Sequence, residues 1–213
     1  IVHAAKYRNL PVTFAAFDNN PDVRAEAADL LSHIKITTTL QQAVEDAELV
    51  ILAVPVGAME QVIKDIAPYL RPGCVITDTG STKRSVIRDV LPFVPEACNF
   101  IPGHPLAGTE FSGPSAGFAS LFEKRYWLIL PNGSPEDKVA GLTTFLSDLG
   151  AMVETMDADY HDKVTALTSH LPHLIAYTIV STAVRSSLGV KALNFCISNP
   201  FFLPDSTHLL ATC

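Results

Sequence analysis

Short apolar runs that alternate with amphipathic stretches constrain the fold of this chain more than any other feature. The apolar runs predict strands over Val12–Phe17, Leu49–Val54, Cys74–Thr77, Asn99–Ile101, Tyr126–Leu130 and Ala151–Met156. The stretches between them predict helices over Pro21–Leu31, Met59–Ala67, Thr82–Leu91 and Pro135–Leu149. Strands that alternate with helices build βαβ units, and fully apolar strands suit a sheet buried on both faces. The pattern therefore predicts an α/β fold with a doubly wound, mostly parallel sheet.

The alternating pattern ends near residue 156, and a helical pattern follows it. Asp157-Ala-Asp-Tyr-His-Asp162 places acidic residues in a first turn, where they favour a helix through its dipole. Helical periodicity then continues to about Ser187. We therefore predict an α/β domain over residues 1–156 and the start of an all-helical domain over residues 157–213.

The composition argues against several classes of function. The chain has 213 residues, 48% of them hydrophobic and 17% charged, which is typical of a soluble globular protein. Its net charge of -7 argues against a general nucleic-acid-binding protein. The apolar stretch Leu171–Val184 is too short to span a membrane, and the first residues lack the layout of a signal peptide. The four cysteines form no CxxC pair, so we expect a cytoplasmic protein.

Three polar segments carry the residues best suited to chemistry. Asp78-Thr-Gly-Ser-Thr-Lys83 follows one apolar run, and Gly103-His-Pro-Leu-Ala-Gly-Thr-Glu110 follows the next. Both lie where ligands bind in parallel sheets, at the carboxyl ends of strands. The third segment, Ser169-His-Leu-Pro-His173, lies in the helical part. Glycine and proline should hold His104 in a tight turn, where a rigid histidine can move a proton near neutral pH.

Asp18 ends the first apolar run and is a candidate for binding a dinucleotide. In dinucleotide-binding folds, an acidic residue about 20 residues after a glycine-rich phosphate loop accepts the ribose hydroxyls. That spacing places the first strand and its loop before Ile1 and makes residues 1–8 the remainder of the first helix. The competing interpretation is a turn or helix-capping role for Asp18. We favour NAD over NADP, because aspartate repels a 2′-phosphate. The strand ends supply further cofactor-binding candidates: Val54, Pro55, Thr79 and Gly80.

Together these motifs resemble the prephenate/arogenate (cyclohexadienyl) dehydrogenase family of tyrosine biosynthesis, from Ile1 to about Val184. The matching turns are Asp78-x-Gly-Ser-x-Lys83, Gly103-His-Pro-x-x-Gly-Thr-Glu110 and Ser169-His-Leu-Pro-His173, in the family's order. The resemblance implies a Rossmann-like NAD-binding domain in a homodimeric oxidoreductase. Such enzymes transfer hydride from a hydroxyl-bearing ring carbon to NAD, release carbon dioxide and make the ring aromatic.

The resemblance also implies roles for individual residues. His104 would be the base that takes the hydroxyl proton, and Ser81 would orient this histidine or the ring hydroxyl. The remaining candidates would contact the substrate or, for the glutamate, gate its pocket: Lys83, Glu110, His170 and His173.

Each of these residues except His104 also has a plausible structural role. Ser81 is suited to capping the next helix, and Lys83 to a solvated position in its first turn. Glu110 fits an exposed loop charge. His170 and His173 fit metal ligands or packed core histidines, although no nearby cysteine or carboxylate completes a metal site. We treat the other histidines as incidental: His3, His33, His161 and His208.

The C-terminal segment departs from the family. Lys191–Cys213 contains no arginine, whereas the resemblance implies a further helix with an arginine that grips a substrate carboxylate. We hypothesise that this segment is read in a wrong frame or comes from a truncated gene copy, which would leave the chain inactive. The choice between prephenate and arogenate stays open. The alternative functions are another two-domain NAD(P)-dependent dehydrogenase or reductase, such as the 3-hydroxyacid or pyrroline-carboxylate types, and a non-catalytic module of the same fold.

Overall fold

The first part of the chain alternates helices and strands, as the apolar pattern predicts. The computed structural model describes residues 1–108 and 113–185. The helices of the first part are α1 Val2–Tyr7, α2 Pro21–Leu30, α3 Leu40–Val44, α4 Val56–Ile66 and α5 Arg84–Val90. Its strands are β1 Ala15–Ala16, β2 Lys35–Ile36, β3 Leu49–Leu52, β4 Val75–Asp78, β5 Asn99–Phe100 and β6 Gly103–Pro105. Each predicted strand and helix in this part is confirmed, with bounds that differ from the predicted ones by up to three residues.

The second part adds two strands and then becomes helical. Its elements are β7 Tyr126–Ile129, α6 Glu136–Asp148, β8 Met152–Thr155, α7 Ala158–Thr165, a π-helical turn over Ala166–His170, and α8 Leu171–Arg185. Helix α7 begins where the acidic residues predict, because the Asp157 carboxylate accepts the Tyr160 N–H at 2.8 Å. None of the helices in the described ranges is long and apolar enough to cross a membrane. The predicted helical end near Ser187 and the segment Lys191–Cys213 lie outside the described residues.

The strands form three hydrogen-bonded sheets instead of one. Strand β1 pairs with β2, and β3 pairs with β4, which pairs with β5, all in parallel. Strand β6 runs antiparallel to β7, which pairs in parallel with β8. The predicted mostly parallel α/β fold is therefore confirmed, but β1 and β3 belong to different sheets.

Three elements escaped the sequence prediction, namely β2, α3 and β6, and the last of them gives His104 a different conformation from the one expected. Strand β2 has two residues and α3 has five, so neither is long enough to show a periodic pattern. His104 lies in strand β6 and not in a turn, since Gly103–Pro105 pairs with Trp127–Ile129 of β7. The glycine and proline around His104 indicate a turn locally, but the pairing with β7 overrides that preference.

Two apolar clusters hold these layers together. One joins Ile76 of β4 to Ile63 of α4 and Val86 of α5, all fully buried. The other joins Trp127 of β7 to buried residues of α6 and α1. Fully burying an apolar side chain of this size contributes about 1.5–3 kcal/mol. Both clusters touch the strands that end at the polar segments, so the core fixes the positions from which those segments leave the sheet.

Candidate active site

A fully buried ion pair lies where β4 ends. Asp78 is the last residue of β4 and Lys83 immediately precedes α5, and neither side chain is exposed to solvent. The Lys83 ammonium donates to the Asp78 carboxylate and to the carbonyl oxygen of Gly103. The same carboxylate accepts the N–H groups of Gly80 at 2.8 Å and Gly103 at 3.0 Å. The pair therefore binds both backbone groups of the residue that precedes His104.

Burial dominates the electrostatics of this pair. Removal from water raises the pKa of Asp78, and the Lys83 ammonium and the two N–H donors oppose that shift. Removal from water also lowers the pKa of Lys83, and Asp78 opposes that shift. The alternative of a solvated Lys83 is wrong, because its side chain is fully buried, and the expectation that Lys83 contributes to the substrate site stays a prediction. Its ammonium is enclosed, and its contacts hold β6 against the end of β4.

Gly103 is packed too tightly to carry a side chain. A Cβ atom there would lie 2.8 Å from the Asp78 carbonyl oxygen, 2.8 Å from Thr77 Oγ1 and 3.0 Å from Trp127 Nε1. Real Cβ atoms essentially never approach other atoms below 3.0 Å. Glycine therefore lets the backbone in front of His104 lie directly on the end of β4.

His104 contacts a second histidine that comes from the helical part of the chain. The half-buried His104 ring has its Nδ1 atom 2.9 Å from Nε2 of His161, and the ring centroids are 5.1 Å apart at 62°. His161 lies in α7 and is fully buried. Its Nδ1 atom lies 2.8 Å from Oδ1 of Asp162. The interpretation of His161 as incidental is therefore wrong, because it bridges His104 to a carboxylate.

Asp162 also caps α5 from outside that helix. Its carboxylate accepts the N–H of Lys83 at 2.8 Å and the N–H of Arg84 at 3.0 Å. Burial alone would raise the pKa of Asp162, but the Lys83 N–H, the His161 ring and the Arg84 N–H together lower it. Burial lowers the pKa of His161, which Asp162 partly offsets. The alternative role of Ser81 as the cap of this helix is wrong, because the N–H groups at the start of α5 find their acceptor in Asp162.

The cofactor-binding candidates at the strand ends differ in accessibility. Val54 and Thr79 are half-buried and Pro55 is exposed, whereas Gly80 is fully enclosed. The Thr79 N–H donates to the Leu52 carbonyl at 3.2 Å, which joins the ends of β3 and β4. Ser81 is half-buried in the loop between β4 and α5. Because β6 is bound to the end of β4 through Asp78, Ser81 and His104 lie at the same edge of the fold.

Asp18 lies exposed just after β1, and its carboxylate shapes the turn into α2. Its Oδ1 accepts the Asn20 N–H at 2.8 Å, and Asn20 in turn caps α2 by accepting the Asp22 N–H at 2.9 Å. Arg24 donates to the Asp18 carbonyl oxygen at 2.6 Å. Within the described ranges, no donor contacts Oδ2 of Asp18. The carboxylate thus has a turn role and keeps one oxygen for an incoming hydroxyl.

The remaining substrate candidates lie in or beside the helical part. His170 ends the π-helical turn and His173 lies in the first turn of α8. Glu110 lies outside the described residues. Across residues 1–108 and 113–185, no group of three or more His, Cys, Asp or Glu residues is arranged to hold a metal ion.

Comparison with known proteins gives the same family for both parts of the chain. The nucleotide-binding domain of prephenate dehydrogenase matches residues 3–155, and the dimerization domain matches residues 157–199. The second match includes the first residues of the segment in which we saw no family motif. The chain is 41% identical to cyclohexadienyl dehydrogenase from Zymomonas mobilis over 170 residues, and this match covers 79% of the chain. It is 38% identical to prephenate dehydrogenase from Lactococcus lactis over 143 residues, a match that covers 66% of the chain.

A solved structure extends the likeness to three dimensions. Prephenate dehydrogenase from Aquifex aeolicus, in complex with hydroxyphenyl propionate and NAD+, superposes with a TM-score of 0.79 at 26% identity. That match covers 98% of this chain and 79% of the other. Against the two sequence relatives, the matched region spans 58% of the Zymomonas mobilis protein and 39% of the Lactococcus lactis protein.

Proposed function

The chain belongs to the prephenate dehydrogenase family, and from this premise we propose that the protein oxidises prephenate or arogenate with NAD and releases carbon dioxide. The products would be 4-hydroxyphenylpyruvate from prephenate or tyrosine from arogenate. One observation carries the proposal. His104 is held on one side through Gly103 by the Asp78–Lys83 pair and on the other through its Nδ1 atom by His161. A histidine fixed in this way suits a base that takes a proton at one defined position.

In the proposed reaction, His104 takes the proton of the ring hydroxyl. The electron pair of that O–H bond forms the carbonyl as the same carbon loses hydride, and bound NAD supplies the hydride acceptor. The ring carboxylate then leaves as carbon dioxide, and its bonding electrons make the ring aromatic. The resulting phenol oxygen regains a proton, so the hydroxyl proton is not consumed. Among the residues described, His104 is our candidate for both proton steps, and Ser81 is our candidate for orienting His104 or the hydroxyl.

The residues at the end of β1 fit a ribose of NAD. Asp18 is exposed, its turn is fixed by Asn20 and Arg24, and its Oδ2 oxygen is available to accept a hydroxyl. An acidic side chain in this place favours NAD over NADP, since it repels a 2′-phosphate. Val54, Pro55, Thr79 and Gly80 line the neighbouring strand ends, where a dinucleotide would continue.

We also propose that the domain over residues 1–156 is completed by a strand and a glycine-rich phosphate loop that precede Ile1. Two observations support a further strand of this kind. β1–β2 and β3–β4–β5 are separate sheets, so one edge of β3 has no paired strand within the described residues. In addition, α1 comes before β1 in the chain, which is the order of a βαβ unit that starts with a strand.

The helical part is proposed to supply the substrate pocket and the dimer interface. Glu110, His170 and His173 remain candidates for the pocket on the strength of the family's motifs. Large apolar side chains of the π-helical turn and α8 are exposed, among them Leu167 at 68% and Leu174 at 63%. A second copy of the chain would cover such a surface. Sedimentation should then give twice the 23.0 kDa mass of the chain, and a single-chain mass would contradict the dimer.

The reaction is tested by NADH formation from prephenate and from arogenate, with analysis of the product. NADH together with a decarboxylated aromatic product would establish the activity, and the faster substrate would identify the preferred ring. We expect H104N to lower kcat about 10²–10⁴-fold and to leave NAD binding unchanged, because it removes only the base. The matched control is H33N at an exposed histidine.

Two outcomes would contradict this proposal at different points. Unchanged turnover in H104N would reject His104 as the base. No NADH with either substrate, from a folded protein that binds NAD, would favour another dehydrogenase or a non-catalytic module instead.

A further inference from the structure

Three side chains form a continuous hydrogen-bonded chain from the helical part to His104. Asp162 Oδ1 lies 2.8 Å from His161 Nδ1, and His161 Nε2 lies 2.9 Å from His104 Nδ1. We propose that His161 and Asp162 are positioning residues that fix His104 in the tautomer with its proton on Nδ1, which makes Nε2 the basic nitrogen. This inference deepens the function proposed above and rests on it for its catalytic consequence.

The direction of each hydrogen bond follows from the carboxylate. An ionised carboxylate only accepts, so the His161 Nδ1 atom that faces Asp162 must carry a proton. The pKa of Asp162 is lowered, which keeps it ionised, and burial lowers the pKa of His161, which keeps its ring neutral near pH 7. A neutral ring with a proton on Nδ1 can only accept at Nε2. His104 Nδ1 must therefore donate, and its lone pair lies on Nε2.

The opposite direction would place two acceptors against each other. If His161 Nε2 donated to His104, the neutral His161 ring would present its Nδ1 lone pair to the Asp162 carboxylate. His161 is fully buried, so water cannot easily relieve that repulsion. The chain of contacts thus selects one tautomer of His104.

Asp162, at the end of this series of hydrogen bonds, is itself held in place. The Asp162 carboxylate accepts two backbone N–H groups at the start of α5, from Lys83 and Arg84. Lys83 in turn binds Asp78 and the Gly103 carbonyl oxygen. Asp162 is therefore held by the start of α5, next to the pair that positions the backbone of His104. The charged groups that act on the pKa of His161 are Asp162, Lys83 and Asp78.

This arrangement would help His104 after it takes the proton. The His104 imidazolium that forms keeps its Nδ1–H bond to His161, and the Asp162 charge polarises that neighbour. These hydrogen bonds stabilise the imidazolium without any proton transfer from His104 to His161 or Asp162. The arrangement follows the same logic as a triad in which a carboxylate orients a catalytic histidine.

The test reads the tautomers directly, by ¹⁵N NMR of the histidine rings in the protein near pH 7. Signals are assigned from the spectra of H104N and H161Q. We expect the proton on Nδ1 in both His104 and His161, whereas a free neutral histidine favours Nε2–H. His104 with its proton on Nε2 in the unsubstituted protein would overturn the proposal. This measurement needs neither substrate nor turnover, so it is independent of the proposed reaction.

D162A tests whether the carboxylate imposes the direction. The variant removes the acceptor that holds the proton on His161 Nδ1, so we expect His161 and His104 both to shift toward Nε2–H, the tautomer of a free neutral histidine. In an enzyme active on prephenate or arogenate, kcat should fall about 10²–10⁴-fold with little change in KM, since loss of the corresponding carboxylate in serine-protease triads costs about 10⁴-fold. The matched control is D159A, which removes an exposed ion pair with Arg84 from the same helix as Asp162. An unchanged His104 tautomer in D162A, or an equal shift in D159A, would overturn the proposal.

Discussion

The buried Asp78–Lys83 pair offers a sharp test of how the site is held together. In K83M the apolar stem is kept and the ammonium is lost, so the Asp78 carboxylate stays buried with only the N–H groups of Gly80 and Gly103. The Gly103 carbonyl oxygen also loses its donor. Removing one partner of a buried pair typically costs about 3–5 kcal/mol, because the remaining charge is uncompensated. We therefore expect K83M to lower the free energy of unfolding by that amount.

Urea unfolding followed by the fluorescence of Trp127 measures this change. Trp127 is the single tryptophan of the chain and is fully buried, so unfolding should alter its emission. The matched control is K138M, whose lysine forms a surface pair with Asp137 at 3.8 Å. Such pairs contribute about 0–1 kcal/mol. A cost in K83M no larger than in K138M would refute the reasoning.

The pH dependence of K83M gives a second measurement of the same pair. Without the ammonium, the folded-state pKa of Asp78 should rise further above its unfolded value of about 4. The folded state then binds the proton more tightly than the unfolded state, so the variant loses stability as pH rises through that window. The deficit of K83M should accordingly shrink as pH falls toward 4. The double variant D78N/K83M should cost less than the sum of the two single changes, because no uncompensated charge remains.

Two further predictions concern the pH response and the packing of the site. Burial lowers the pKa of His161, so the unfolded state binds more protons than the folded state. The free energy of unfolding should therefore fall as pH drops below about 6.5, by up to about 1.4 kcal/mol per pH unit. In unfolding curves H161Q should flatten this slope, and H33Q should not. G103A should cost about 1–3 kcal/mol by overpacking, whereas G141A, on an open face of α6, should gain up to about 1 kcal/mol, and equal effects would contradict the packing argument.

Much of the fold could be predicted because periodicity is a local property. A run such as Leu49–Val54 is apolar whatever it packs against, and the helix after Asp157 is signalled by its own first turn. Elements too short to show a period, such as β2 and α3, could not be found in this way. The division of the strands into three sheets also escaped prediction, since pairing joins segments that are distant in the chain.

The polar segments could be located from the sequence, but not the contacts their residues make. Ser81 comes after β4 and His104 comes after β5, and the ends of these parallel neighbours share one edge of a sheet, so their common location was predictable. The local pattern around Lys83 fits a solvated lysine and a buried one equally well. Only the approach of Gly103, 20 residues further on, encloses its ammonium.

The sequence by itself determined the α/β architecture, the helical part after Asp157 and the identity of His104 as the histidine of the family's motif. Each of these depends on a pattern of neighbouring residues. The tertiary structure alone decided the partners of that histidine. His161 is 57 residues from His104, and Asp162 is 79 residues from the Lys83 N–H that it accepts. Nothing local distinguishes His161 from the other histidines of the chain. Its role arises only when α7 packs against α5 and β6, which brings a carboxylate and two imidazole rings within hydrogen-bond distance of one another.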